Sequence, residues 1–140
     1  VTFRIAKSYY SRLPDTVDRD LTAADSAIRF FDEVIRRYPD SNYAKEAKEL
    51  RKTALNKLAA KEYYVAQFYF HRSQFDSALG RYENLVKIYP EDELVAKAHY
   101  GAAVSAAKLG QRNRSRIHVE ALLEKFPGTP EAKKAKVGLE

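Results

Sequence analysis

Along most of the chain, apolar side chains recur at spacings of three, four and seven, the signature of one buried face on an α-helix. Ala27, Phe31, Val34 and Tyr38 make one such series, and Ala78, Tyr82, Leu85 and Tyr89 make another. The pattern predicts helices at about 1–12, 23–37, 42–73, 75–88, 93–109, 111–125 and 130–139. Several starts carry capping chemistry. Thr22 with Asp25 resembles a capping box, Ser41 is placed to cap the following helix, and Thr129-Pro130-Glu131 sets a hydroxyl before a proline at the first helical position. No Pro or Gly lies between Pro39 and Gly80, so residues 42–73 are expected to form one unbroken rod of ~48 Å. Its stripe runs through Ala44, Ala47, Ala54, Leu58, Val65 and Tyr69. Glu62 falls on that stripe, where a buried carboxylate needs a partner.

The helices repeat. Tyr38-Pro39, Tyr89-Pro90 and Phe126-Pro127 mark three copies that align column by column. Eleven positions before the aromatic stand Ala27, Ala78 and Ser115; seven before it stand Phe31, Tyr82 and Val119; four before it stand Val34, Leu85 and Leu122. Beyond each proline, Ala44, Val95 and Ala132 share a column, and Ala47, Ala98 and Ala135 share the next. Upstream, Ile5-Ala6-Lys7-Ser8-Tyr9 answers Val65-Ala66-Gln67-Phe68-Tyr69, and Arg12 answers Arg72. The offset of 60 there drops to 51 later in the same copy, so nine residues are inserted, within the Pro- and Asp-containing loop Leu13 to Leu21. Copies two and three are offset by 37, and the fourteen further residues separating copies one and two fall in Ser41 to Lys57.

The expected organisation is one domain over 1–140. Repeat one covers 1–40 with its loop at 13–21, repeat two covers 41–90 with an extended first helix, repeat three covers 91–127, and 128–140 begins a terminal helix. The fold class is all-α, an α-solenoid of helix pairs in which the long helix rigidly joins two repeats.

Composition narrows the function classes. With 45% hydrophobic and 31% charged residues over 140 positions, the chain fits one folded domain and not a disordered segment. No run approaches the ~20 apolar residues of a membrane-spanning helix. Zero Cys removes disulfides, thiol nucleophiles and thiolate zinc sites. The chain begins at Val1 without a leader, which suggests an excised piece whose targeting segment lies upstream. The net charge is +6, and it is uneven: residues 1–40 hold seven charges of each sign, residues 41–140 hold 18 basic and 12 acidic. An acidic partner for the later part is the natural inference, nucleic acid being one option. His71, His99 and His118 stand isolated in sequence, and no metal-binding His pair, nucleophile turn or Gly-rich phosphate loop occurs. Neither enzyme chemistry nor a cofactor is expected.

The columns resemble the tetratricopeptide repeat. Ala66, Tyr69, Phe75, Ala78, Tyr82 and Pro90 stand at that motif's spacings of 3, 6, 3, 4 and 8, while the third copy keeps Gly110, Leu122 and Pro127 but has Arg112 where an aromatic is usual. A narrower resemblance spans nearly the whole chain. Leu58-Ala59, Glu62-Tyr63, Val65-Ala66, Tyr69, Arg72, Ala78, Arg81 and Tyr89-Pro90, preceded by Asp18-Arg19-Asp20 and Tyr38-Pro39-Asp40-Ser41-Asn42-Tyr43, are similar to the BamD (YfiO) lipoproteins of the β-barrel assembly machinery. The resemblance implies the C-terminal half of such a protein, a non-catalytic scaffold at the periplasmic face of the outer membrane. It further implies BamA, through its POTRA domains, as the partner, with other lipoproteins of the machinery as further ones. Membrane contact would run only through a lipid anchor upstream of this chain. Another periplasmic repeat adaptor, or a basic nucleic-acid-binding repeat protein, is the alternative.

By resemblance Arg81 matches an arginine that faces a POTRA carboxylate, a task suited to its planar fork. From the residues alone, Arg81 reads as an exposed helix arginine paired with Glu83, Asn84 or nothing. Arg112, Arg114 and Arg116 crowd the start of a helix, where cations oppose the dipole; they fit an acidic partner surface or a solvated turn. Asp18, Arg19 and Asp20 touch a partner by resemblance. Asp15, Asp18 and Asp20 otherwise read as loop acids capping backbone amides, since Asp20 and Ser26 occupy the positions where a calcium loop needs Gly and Glu. Lys45, Lys48 and Lys52, interleaved with Glu46 and Glu49, read as a solvated face rather than a nucleic-acid footprint. Tyr63, Tyr64, Tyr69 and Phe75 read mostly as repeat core.

Overall fold

The computed structural model describes the backbone of residues 22–138 and the side chains of residues 23–138. The expected helix at 1–12, the loop at 13–21 and the Thr22 hydroxyl cap lie outside the described residues. Within them every regular element is an α-helix: α1 (Thr22–Arg37), α2 (Asn42–His71), α3 (Phe75–Ile88), α4 (Val95–Lys108), α5 (Arg112–Lys125) and α6 (Pro130–Gly138). The chain divides into two compact units, Val1–Lys61 and Glu62–Glu140.

In the first unit, Ala27, Phe31 and Val34 of α1 meet Ala47 of α2, with Phe30, Ile35 and Leu50 packed against them. Ala24, Ala44, Ala54 and Ala59 are fully buried as well. Small residues at these positions let two helix backbones approach closely, so that the larger Phe31 and Val34 fill the remaining space. Arg51 of α2 pairs with Asp32 of α1 at the surface.

In the second unit the same columns are buried. Ala78, Tyr82 and Leu85 of α3, Ala98 of α4, and Ser115 and Leu122 of α5 are all 7% exposed or less. Ala132 and Ala135 of α6 join Ala96 and Leu122 in one cluster against Tyr100, Val119 and Phe126. Ser115 replaces the alanine of its column and satisfies its hydroxyl by donating to the Ala103 carbonyl at 2.8 Å.

The helix ends repeat as faithfully as the faces. Tyr38, Tyr89 and Phe126 each close a helix by donating their backbone N–H to Val34, Leu85 and Leu122. Three residues on, Ser41 and Thr129 accept from Ala44 N and Ala132 N, the expected caps, and Asp92 accepts from Leu94 N. That last turn delays α4 to Val95, two residues later than the pattern predicts. At the other corner, Gln74 N bonds Tyr69 O, and 37 residues later Gln111 N bonds Ala106 O. Each turn needs a left-handed residue, supplied by Gly110 (φ 77) and by Ser73 (φ 59). This reversal is why α2 stops at His71, short of the predicted Ser73.

α2 itself is one continuous helix of 30 residues. Nothing in it removes a backbone donor or forces a kink, in keeping with the absence of Pro and Gly.

Ser73 carries a Cβ in a conformation that strains L-residues, whereas Gly110 does not. Ser73→Gly is therefore expected to stabilise the chain by about 0.5–1 kcal/mol, and Gly110→Ser to cost about 1 kcal/mol. Urea denaturation of both variants measures this; a destabilised Ser73→Gly would contradict the shared turn geometry.

Candidate partner-binding surface

Arg81 lies on α3 with its side chain 46% exposed, and its Nη1 donates to Glu62 Oε1 at 2.9 Å. Glu62 is only 16% exposed, so the carboxylate on the α2 stripe finds its partner in the arginine that the sequence had expected beside Glu83 or Asn84. Among the described residues, Nη1 is the only guanidinium nitrogen of Arg81 engaged, and Asp76, Gly80, Asn84, Lys87 and Ile88 are the other exposed residues of the same helix. The arrangement offers an oriented fork with spare donors, with the exposed apolar Ile88 two turns further along the helix.

The three clustered arginines of α5 separate into two kinds. Arg114 is tied inward: its Nε donates to Glu83 Oε2 at 2.9 Å, its Nη2 to Glu83 Oε1, and its Nη1 to Gln111 Oε1 at 3.1 Å. Arg112 and Arg116 are exposed, with no ion pair to any described residue. Asp18, Arg19 and Asp20 lie outside the described residues.

Two histidines that stand isolated in sequence meet in space. His99 of α4 and His118 of α5 approach with their Nδ1 atoms 2.9 Å apart, and His118 Nε2 lies 2.8 Å from Glu83 Oε2. Both rings are almost fully buried. Burial alone raises the Glu83 carboxyl, but the bonds from Arg114 and His118, with their charges, outweigh it and hold it below its ordinary value. One carboxylate of α3 thus fastens two side chains of α5. The only sequence signal was positional: His99 directly follows the buried Ala98 column and His118 directly precedes the Val119 column.

The second unit also holds a groove of about 310 Å³ among α2, α3, α4 and α6, walled by Tyr63, Tyr82 and Tyr100 and charged by Lys97, Lys134 and Glu131. Tyr82 donates its hydroxyl to Gln67 Oε1. Burial, with the nearby Tyr63, pushes the Tyr82 phenol well above its usual range. Gly101 lies against the Tyr82 ring, where any side chain would overlap it. Of the aromatics expected in the core, Tyr64 is 44% exposed; Phe68 is 42% exposed as well, its ring covered by the Arg72 guanidinium at 3.6 Å. They sit on the outer face of α2, one turn apart. Lys45, Lys48 and Lys52 are exposed beside Glu46 and Glu49.

The YfiO family, described as outer membrane lipoproteins, matches residues 1–116. This chain belongs to that family. Among its relatives, the outer membrane protein assembly factor BamD of Neisseria meningitidis serogroup A is 26% identical over 132 residues, which covers 93% of this chain and 49% of the relative. That of Vibrio cholerae is 33% identical over 84 residues, 60% of this chain and 35% of the relative. That of Caulobacter vibrioides is 24% identical over 120 residues, 86% of this chain and 39% of the relative. The YfiO-family chain therefore spans half the length of these relatives or less. Its family match takes in Arg81, Arg112, Arg114 and Arg116 and ends before His118.

Removing the shared carboxylate strands two partners at once. Glu83→Ala is expected to lower stability by about 2–3 kcal/mol, since hydrogen bonds to charged groups are worth more than neutral ones. Arg116→Ala should stay within about 0.5 kcal/mol, as for other exposed substitutions. Equal effects in chemical denaturation would show that Glu83 does not anchor α5.

Proposed function

We propose that this chain is the BamA-binding half of a BamD-type assembly factor: a non-catalytic scaffold, held at the periplasmic face of the outer membrane by an anchor upstream of this chain, that supports insertion of outer-membrane proteins. Its three repeats follow the 1–40, 41–90 and 91–127 division, with a terminal helix after them. The single observation that carries the reading is the family match over residues 1–116, reinforced by relatives named as outer membrane protein assembly factors.

The geometry of Arg81 supports the partner assignment. Its bond to Glu62 fixes the guanidinium plane before any partner arrives, which lowers the ordering cost of a charge-assisted contact. The unused N–H groups then take a POTRA carboxylate, while Ile88 adds apolar area. Arg112 and Arg116 strengthen attraction to an acidic surface at longer range, an effect on encounter rate more than on affinity. The loop of Asp18, Arg19 and Asp20 is part of the same reading as a further partner contact.

Arg81 also joins α2 to α3, so a simple reversal confounds binding with folding. The exchange Glu62→Arg with Arg81→Glu keeps the internal pair while turning a carboxylate outward. Titration calorimetry against a POTRA-containing piece of BamA, without nucleotide, metal or lipid, is the test. The expected outcome is a folded double variant whose affinity falls by tenfold or more, about 1.4 kcal/mol or above, with Lys48→Glu binding as the parent does. Retained binding in the folded double variant would remove Arg81 from the interface.

A further inference from the structure

The two buried histidines do more than fill space, because their geometry fixes a proton count. With the Nδ1 atoms 2.9 Å apart, one ring must donate its Nδ1–H and the other must accept with its lone pair. His118 Nε2, 2.8 Å from Glu83, carries a hydrogen and donates it to the carboxylate. In the neutral arrangement His118 Nδ1 therefore accepts from His99 Nδ1–H. A first added proton leaves this bond intact: His118 becomes the donor at Nδ1, and His99 accepts there while carrying its hydrogen on Nε2. A second added proton places N–H groups on both facing nitrogens. Two cationic rings, with centroids 5.2 Å apart in a nearly solvent-free site, then have no lone pair between them.

We propose that His99 and His118 form an acid-released latch, which holds α5 onto α4 and α3 while the rings share a proton and lets go once both are protonated.

The surroundings give the second charge nowhere to go. α3 contributes Glu83, whose two oxygens are already taken by Arg114 and His118. α5 contributes the cations Arg114 and Lys125, and Lys125 itself opposes a charge on His99. α6 meets this region through the uncharged Ala132 and Ala135, and the Phe126 ring stands 6.2 Å from His99. Burial, reinforced by the charges of His118 and Lys125, pushes His99 down to about 4. The sign follows from linkage: an opened His99 titrates near its ordinary 6.5 and binds protons more readily than the latched one. The latch is therefore fully closed above pH 6.5 and weakens as pH falls from there toward about 4. Its opening would unseat the helix that carries Arg112, Arg116, Ile117 and Leu123 outward. The inference goes beyond the scaffold reading and does not depend on it.

Amide hydrogen exchange of the 140-residue chain at pH 7.5 and 5.0, corrected for the intrinsic pH dependence of exchange, tests the latch. Protection of the α5 amides should drop about tenfold or more at the lower pH, with α1 amides as the unaffected reference. His99→Gln should abolish that pH response, and His118→Gln should weaken it, since burial still opposes a charge on His99. Equal α5 protection at both pH values, or a response surviving in His99→Gln, would overturn the proposal. Should neither variant fold, ring-nitrogen NMR of the parent decides: the two rings should titrate as a linked pair, the second step accompanied by loss of native α5 signals. Independent titration of both near the ordinary histidine value would overturn it.

Discussion

Close helix crossing at columns of small residues is the constraint on which the rest of the structure depends. Ala27 and Ala47 in the first unit, and Ala66, Ala78, Ala98, Ala102 and Ala135 in the second, are fully buried. An alanine contributes little burial by itself; its value is that neighbouring backbones come near enough for Phe31, Tyr82 and Leu85 to pack without voids. The crossing also fixes rotation. With about 100° between successive helical residues, burial of Ala78, Tyr82 and Leu85 places Arg81 at the flank of the buried face, within reach of Glu62, and turns Asn84 outward. Surface chemistry is thus set by core geometry.

The net charge of +6 does not say which cations a partner would meet. Arg51, Arg81 and Arg114 each hold a carboxylate of another helix, Asp32, Glu62 and Glu83. Exposed ion pairs of this kind add little stability singly. Glu83 differs because it serves Arg114 and His118 together. Of the candidate site arginines, Arg112 and Arg116 face outward and Arg81 keeps a half-used fork, so these three, beside the exposed lysines, carry free donors for recognition. A count of basic residues could not make this distinction; a map of internal partners does.

The fold was largely legible because helical spacing is a local property. The columns before the aromatic and beyond the proline are buried except Val119, which is half-buried, while the aromatics themselves are half-buried or, at Tyr38, exposed; the aromatic-proline pairs mark helix ends in all three copies. The left-handed turn at Ser73 was legible only in hindsight, from its offset of 37 to Gly110. The candidate site was far less readable. Arg81 with Glu62, and His99 with His118, are each separated by 19 residues, and Glu83 reaches His118 across 35. Such pairings depend on which faces of two helices meet and on side-chain rotamers, neither of which a single sequence states. The same holds for Gly101, unremarkable in sequence but required by the Tyr82 ring.

The proposed docking of BamA on the outer side of α3 is measured most directly by proximity in the assembled membrane. A photoreactive amino acid placed at Asn84, exposed and one turn from Arg81, in the otherwise intact parent protein reports what lies against that face. The account predicts a crosslink from Asn84 into a POTRA domain, and none from the same probe at Lys48 on α2. Absence of a POTRA crosslink at Asn84, or equal crosslinking from Lys48, would contradict it.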